Sequence, residues 1–340
     1  MIKQISLLEK GMKNILNQFE NGKISLADAM RLLNQENNSA NTTVNSSNSN
    51  QQSIQELFKD LDQLIGLIEV KKLVREIFAY LQIQNERKLQ GLLSDSIVLH
   101  MIFKGNPGTG KTTVARVLGK LLKELQILSK GHMVEVERAD LVGEYIGHTA
   151  QKTREQVKKA LGGILFIDEA YSLNRGGEKD FGKEAIDTLV KAMEDYKSEF
   201  ILILAGYSNE IDDFLMANPG LPSRFPIKIT FPDYSNQELL DIAELMLEER
   251  QYKLCNKAKN KLQKYLMHYQ KYNNHNFSNA RLIRNLIECA IRKQAIRLMK
   301  EKGNNIITRQ ELITITEFDI EIEGGRNFDR VHHIWKERGW

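Results

Sequence analysis

Two short stretches of this chain carry residue types that can do phosphate chemistry. In "GNPGTGKT", Gly105, Gly110, Lys111 and Thr112 satisfy the pattern GxxxxGK[ST]. Glycine weakens both a strand and a helix, yet here it separates the apolar run "IVLHMIF" from the helix-like "TVARVLGKLLKEL". The physical use of such a stretch is to turn backbone N–H groups inward around phosphate oxygens, where a helix N-terminus adds favourable partial positive charge. Gly105, Asn106, Pro107, Gly108, Thr109, Gly110, Lys111, Thr112 and Thr113 are therefore the expected phosphate cradle. Within it Lys111 would reach the β- and γ-phosphates and Thr112 would ligate Mg²⁺.

The second stretch, "ILFIDEA", ends an apolar run on two carboxylates. Ligands of open α/β sheets bind outside the carboxyl ends of the strands, where Asp168 would emerge as the second magnesium anchor. Glu169 can then act as base or positioner for attacking water. Together the stretches predict a P-loop nucleoside triphosphatase that works with Mg²⁺. The alternative, two solvated acids at a strand end, loses weight beside the glycine-rich loop.

Chemistry of this kind needs elements to hold it. From residue 96, apolar runs of strand length ("SIVLHMIFKG", "MVEVE", "GGILFIDEA", "FILILAGY", "FPIKITF") alternate with amphipathic helices. The expected fold is α/β, a parallel sheet between helices, because continuous apolar strands separated by helices must be covered on both faces. After Pro232 the period becomes helical, over roughly 235 to 252, 256 to 272 and 278 to 302, which predicts a small all-helical second domain. Upstream, Leu8, Met12, Ile15, Leu16 and Phe19 share a helical face and Ser25 caps a second short helix. The run "NQENNSANTTVNSSNSNQQS" is too polar to offset its ordering entropy. The expected domains are thus a helical hairpin (1–33), a flexible linker (34–53), an α/β nucleotide-binding domain (54–232), a helical lid (233–305) and a C-terminal tail (306–340).

The 340 residues are 41% hydrophobic and 27% charged, with a formal charge of +4, which fits an ordinary globular protein and does not argue for nucleic acid or anionic lipid. Cys255 and Cys289 lack metal-ligand spacing, and no run reaches the ~18 apolar residues of a membrane span. A cytoplasmic protein without membrane insertion is expected. Two lookalikes carry little weight. Asp180, Phe181 and Gly182 spell a kinase metal motif without its catalytic loop, and His332 and His333 have no neighbouring ligand spacing.

With these motifs in place the chain resembles the AAA+ ATPases, and within them the CbxX/CfqX group, over roughly residues 60 to 300. "KGNPGTGKTTVARVLGKLL" and "FIDEAYSLNRGGEKDFGKEAIDTLVK" carry the likeness. The resemblance implies a ring, usually hexameric, with ATP between subunits and with bacterial spore formation as the setting. Arg224 in "NPGLPSRF" matches the arginine finger that enters a neighbour's site, so that Glu169, Arg224 and Lys111 form the catalytic set. Arg281 in "FSNARLIRNLIE" matches the sensor-2 arginine, with Arg284 one turn on. Tyr207 stands where an asparagine sensor is common, and Asn209 is two residues away. "LDQLIGLIEVKK" resembles the adenine-flanking linker, which nominates Leu64, Ile65, Gly66 and Leu67. Tyr145, Ile146 and Gly147 match the pore loop of threading machines, and an aromatic ring there grips polypeptide without reading its sequence. A homo-oligomer that remodels or threads a protein client follows. A nucleotide-gated scaffold is one alternative; a nucleic-acid motor is another, disfavoured because "GEYIGHT" offers no cation to track phosphates.

Overall fold

The strands follow from side chains with no use for water. In a computed structural model, which describes residues 53–93, 98–145, 147–175, 181–197, 199–272, 277–302 and 306–321, Met101–Phe103, Ile164–Ile167 and Ile201–Gly206 are buried throughout. By internal packing the chain divides into Met1–Lys59 and Asp60–Trp340. Of the first unit, residues 53–59 are described and are helical. The predicted hairpin, nearly all of the linker, Ile146, Asp180 and the histidine pair lie outside the described residues.

The second unit contains a five-stranded, wholly parallel sheet of β1 (Met101–Lys104), β2 (Met133–Val136), β3 (Ile164–Ile167), β4 (Ile201–Gly206) and β5 (Ile227–Thr230), in the order β2-β3-β4-β1-β5. Between them run α1 (Ile68–Leu89, preceding β1), α2 (Lys111–Glu124), α3 (Arg138–Leu141), α4 (His148–Ala160), α5 (Gly182–Asp195) and α6 (Ser208–Ala217). Helix α2 shows why such helices cover a sheet: Val114, Ala115, Val117, Leu118, Leu121 and Leu122 recur at helical spacing and are buried. Phe103 packs its ring 5.0 Å from Phe231 and 6.4 Å from Phe166, tying three strand segments into the core.

Register decides where the sheet ends. Lys104 pairs with Gly206 across β1 and β4, and Ile167 with Leu204 across β3 and β4. The ladder runs on as Gly105 N–H donates to the Gly206 carbonyl (3.0 Å) and Asp168 N–H to that of Val136 (3.1 Å). Three adjacent strands therefore deliver the glycine-rich loop, Asp168 with Glu169, and Tyr207 to one edge of the sheet.

Beyond Pro232 lie α7 (Asn236–Glu248), α8 (Asn256–Tyr272) and α9 (Asn279–Lys302). Ser235 opens α7 with a capping box: its backbone N–H donates to Glu238 Oε2 (2.7 Å), and its hydroxyl accepts from Glu238 N–H (3.3 Å). This region is the expected helical lid, with one short strand added. β6 (Lys253–Leu254) pairs in parallel with β7 (Thr314–Ile315), which follows the short α10 (Arg309–Ile313). Two-residue strands are too short to show a period. Up to residue 321 the chain after 306 packs against α9. Arg297 on α9 donates from Nε to Asp319 Oδ1 (2.8 Å) and from Nη2 to Oδ2 (2.9 Å). The Thr316 N–H and hydroxyl each reach Asp319 Oδ2 at 2.8 Å. Buried Gln294 donates to the carbonyls of Glu311, Leu312 and Thr314. No described helix is long and apolar enough to cross a membrane.

Candidate active site

Gly105 is the first residue past β1, and no larger residue fits there. Its φ is 152°, and an added Cβ would lie 2.4 Å from the Phe231 carbonyl oxygen. At the apex of the loop Gly108, with φ 71°, approaches the lid so closely that a Cβ would sit 2.5 Å from Ser278 O and 2.7 Å from Arg281 N. Gly110 is the N-cap of α2, so the loop closes onto that helix's first turn. This is a cradle made of backbone, with the partial positive end of a fourteen-residue helix at its floor.

Lys111 leaves the first turn of α2 and folds its ammonium over the loop, donating to the carbonyls of Gly105 (2.8 Å) and Asn106 (2.9 Å). Burial holds its pKa below the usual lysine range, against the pull of Asp168, while Arg281 pushes the same way as burial. An anion entering the cradle would relieve both pressures.

The cleft, of about 500 Å³, is lined at its polar end by Gly105, Pro107, Gly108, Gly110, Lys111, Thr112, Thr113, Asp168, Glu169, Tyr207 and Arg281. Arg284 and Arg116 also line it. Arg116 lies one turn beyond Thr112 and pairs with Glu135 at 2.9 Å. Leu64, Ile65 and Leu67 form one apolar wall at the other end; Ile242, Leu245 and Met246 of α7 form the facing one. Such a cavity, charged at one end and apolar at the other, suits a phosphorylated heterocycle.

Glu169 adopts a left-handed conformation, φ 47° and ψ 44°, unusual for a residue with a side chain, and its carboxylate is exposed. Its N–H donates to Asp168 Oδ1 at 3.0 Å, which fixes the neighbouring carboxylate. Tyr207 is the N-cap of α6 and its ring lies 6.0 Å from that of Tyr171. Burial and then the Glu169 charge raise its pKa, so the hydroxyl stays a neutral donor. Asn209, exposed on the first turn of α6, does not line the cleft.

Other sequence candidates fall elsewhere. The Asn106 amide turns away to Asp233 (2.9 and 3.0 Å), and Thr109, fully buried, donates to the Asn106 carbonyl (2.8 Å). Both side chains brace the loop and are not cleft lining. Gly66 is likewise no part of the lining, because it packs against α7, where a Cβ would meet Glu238 Oε1 at 2.2 Å. Arg224 lies outside its own chain's cleft, donating to Gly220 O at 2.7 Å and to the Glu194 carboxylate. Tyr145 sits on the turn between α3 and α4, 66% exposed and edge-on to His148 at 5.5 Å, with Gly147 as the N-cap of α4. Behind it Gly143 N–H donates to the buried Thr149 hydroxyl (2.9 Å), and Thr153 donates to Leu141 O (3.2 Å).

Sequence reading missed Tyr234, Asp233 and Asn279. Tyr234 is pushed up to about 12 by burial and by Glu238, and it donates to the Thr109 carbonyl at 3.2 Å. Only the turn-like "FPDYS" after the last apolar strand marked the place.

Comparison with known proteins gives the same outline. The family "ATPase family associated with various cellular activities (AAA)" matches residues 101–233, and an AAA lid domain matches residues 235–330. Stage V sporulation protein K of Bacillus subtilis (strain 168) is 58% identical over 271 residues, 79% of this chain and 83% of that protein. Protein CbbX of Cereibacter sphaeroides is 44% identical over 281 residues, covering 81% and 90% respectively. Among solved structures the AAA domain of FIGL-1 shares the fold, with a TM-score of 0.54 at 14% identity over 82% of this chain and 88% of that one.

Proposed function

This chain belongs to the AAA ATPases, in the group of stage V sporulation protein K and CbbX, and hydrolyses ATP; on that premise we propose that it acts as a closed ring, a hexamer, that remodels or threads a protein client during bacterial spore formation. The observation that carries this reading is the position of Arg224. A guanidinium suited to phosphate oxygens stands outside the chain's own cleft, held by Gly220 O and the Glu194 carboxylate, and this supports a role toward a neighbouring copy's nucleotide.

In this reading Lys111 offers its ammonium to the phosphates in exchange for two loop carbonyls. Glu169 orients the attacking water and accepts its proton. Arg281 approaches from the lid, and Arg224 of the next subunit spreads donors over the charge that develops on the terminal phosphoryl group. Tyr207 donates from the third strand end. Leu67, with Leu64 and Ile65, holds the base.

Magnesium fits the donor set. Thr112 and Asp168 offer hard oxygens beside a phosphate cradle, the partial coordination that this ion completes with substrate oxygens and water. Bound there, it would supply charge neutralisation to the triphosphate. The client contact is assigned to Tyr145 with Ile146 and Gly147, supported by the exposure of the tyrosine ring.

The test is a Glu169→Gln chain. It should bind ATP, turn it over about 10²- to 10⁴-fold more slowly and accumulate as an assembled species that holds its client, while Lys111→Ala should do none of these. Tight ATP binding by Glu169→Gln with a strictly monomeric mass would remove the ring from this account.

A further inference from the structure

Asn279 stands two residues before Arg281 and does not line the cleft, yet it is the most heavily engaged polar side chain around it. It is fully buried, and its φ of 46° is left-handed, a conformation that L residues avoid and asparagine tolerates best. Its amide is used at both ends. Oδ1 accepts from Tyr234 N–H (2.9 Å), and Nδ2 donates to Asp233 Oδ1 (2.7 Å) and to the Phe277 carbonyl (3.0 Å), with Pro107 O at 3.4 Å.

Three parts of the chain meet at this one amide. Asp233 and Tyr234 form the hinge between β5 and α7. Phe277 precedes the lid helix α9 and Asn279 begins it. Pro107 belongs to the phosphate loop, and Asp233 reaches that loop a second time through the Asn106 amide. Beside this junction Ala280 N–H donates to the Gly108 carbonyl at 3.2 Å. The donor end reaches all three parts, and the acceptor end adds a second bond to the β5–α7 connection through Tyr234 N–H.

We propose that Asn279 is a positioning residue for ATP hydrolysis, which locks the phosphate loop, the hinge and the first turn of α9 into one unit. A change in the loop on binding a triphosphate is thereby handed to the lid, and Arg281 is kept at a fixed offset from the phosphates. The inference rests on the role given above to Arg281 and adds what sets its placement. A carboxylate at 279 would keep the acceptor for Tyr234 but would confront Asp233 with like charge.

The experiment measures ATP and ADP affinities by displacement of a fluorescent nucleotide from the full chain, with melting temperatures alongside. Asn279→Gly removes the amide and keeps the backbone freedom; Asn279→Asp keeps the shape and reverses the donor. Each should lower the ATP:ADP affinity ratio about tenfold, the scale of one hydrogen bond at a charged site. Adding Asp233→Asn to Asn279→Asp exchanges donor and acceptor in that pair, while the Pro107 and Phe277 carbonyls stay without a donor, and should restore part of the ratio. A merely structural role would lower the melting temperature and the active fraction while leaving the ratio alone. An unchanged ratio in both single variants, or a loss that the exchange does not recover at all, overturns the proposal. Arg281→Ala separates the two readings. If it keeps the ratio that Asn279→Gly loses, the sensing role of Arg281 falls and the lock stands through the loop; if it loses a ratio that the Asn279 variants keep, the lock falls alone.

Discussion

Arg224 is held by the carboxylate of Glu194, outside the cleft that would take its own chain's nucleotide. If the guanidinium serves a neighbour, defects at Arg224 and at Lys111 should complement. Arg224→Ala and Lys111→Ala chains should each lack ATPase activity, and their mixture should regain a measurable part of it, because some interfaces then pair an intact cradle with an intact finger. A mixture as inactive as its components would show that Arg224 works within its own chain. Glu194→Gln should leave ATP affinity unchanged and lower kcat severalfold, since a neutral partner holds the guanidinium less firmly.

Tyr145 is exposed on a turn whose base is fixed by Thr149 and Thr153. Tyr145→Ala should therefore keep ATPase activity within about twofold, as surface substitutions leave stability nearly unchanged, while client remodelling is abolished. Tyr145→Phe should retain it, because the grip is apolar. Remodelling by Tyr145→Ala at the normal rate would remove threading from the function.

Chelation of divalent metal should weaken ATP binding by about tenfold or more, the loss of a charge-assisted contact. Thr112→Ala should raise the magnesium concentration needed for half-maximal turnover without altering the melting temperature of the nucleotide-free chain. Titrating Mg²⁺ against ATPase rate distinguishes this from a loss of folding.

Asp319 is buried, which raises its pKa, but the Arg297 guanidinium and the Thr316 N–H and hydroxyl outweigh burial and hold it below the ordinary value of 3.8. Its folded pKa is depressed, so its contribution to stability is present above the unfolded value and is lost as pH falls through the folded one. Asp319→Asn, which leaves Arg297 with Glu301 (3.2 Å) as its remaining anion, should cost about 1 to 3 kcal/mol near neutrality. The gap in thermal stability between the two chains should be constant from pH 7 to about 5 and should close on further acidification. A gap that widens in acid would contradict the assignment.

What could be read in the sequence was contiguous. The glycine-rich loop and Asp168 with Glu169 each fit inside a few residues, and five apolar runs announced the sheet, because phosphate cradles and buried strands impose local composition. Asn279, Asp233 and Tyr234 left no such trace: their bonds cross more than forty residues, and an asparagine before a helix reads as an ordinary cap. Gly66 misled for the opposite reason. It sits within a stretch whose neighbours Ile65 and Leu67 line the cleft, but its own missing side chain makes room for Glu238. The pairing of β6 with β7 was invisible because two residues carry no period.

The left-handed backbone of Glu169 sets fitness against comfort at one position. L residues with long side chains occupy that region at a cost of about 1 to 3 kcal/mol, whereas asparagine enters it more readily. A Glu169→Asn chain should thus melt at a higher temperature than the natural protein and be inert. The most robust version of this molecule would be one that had given up its occupation.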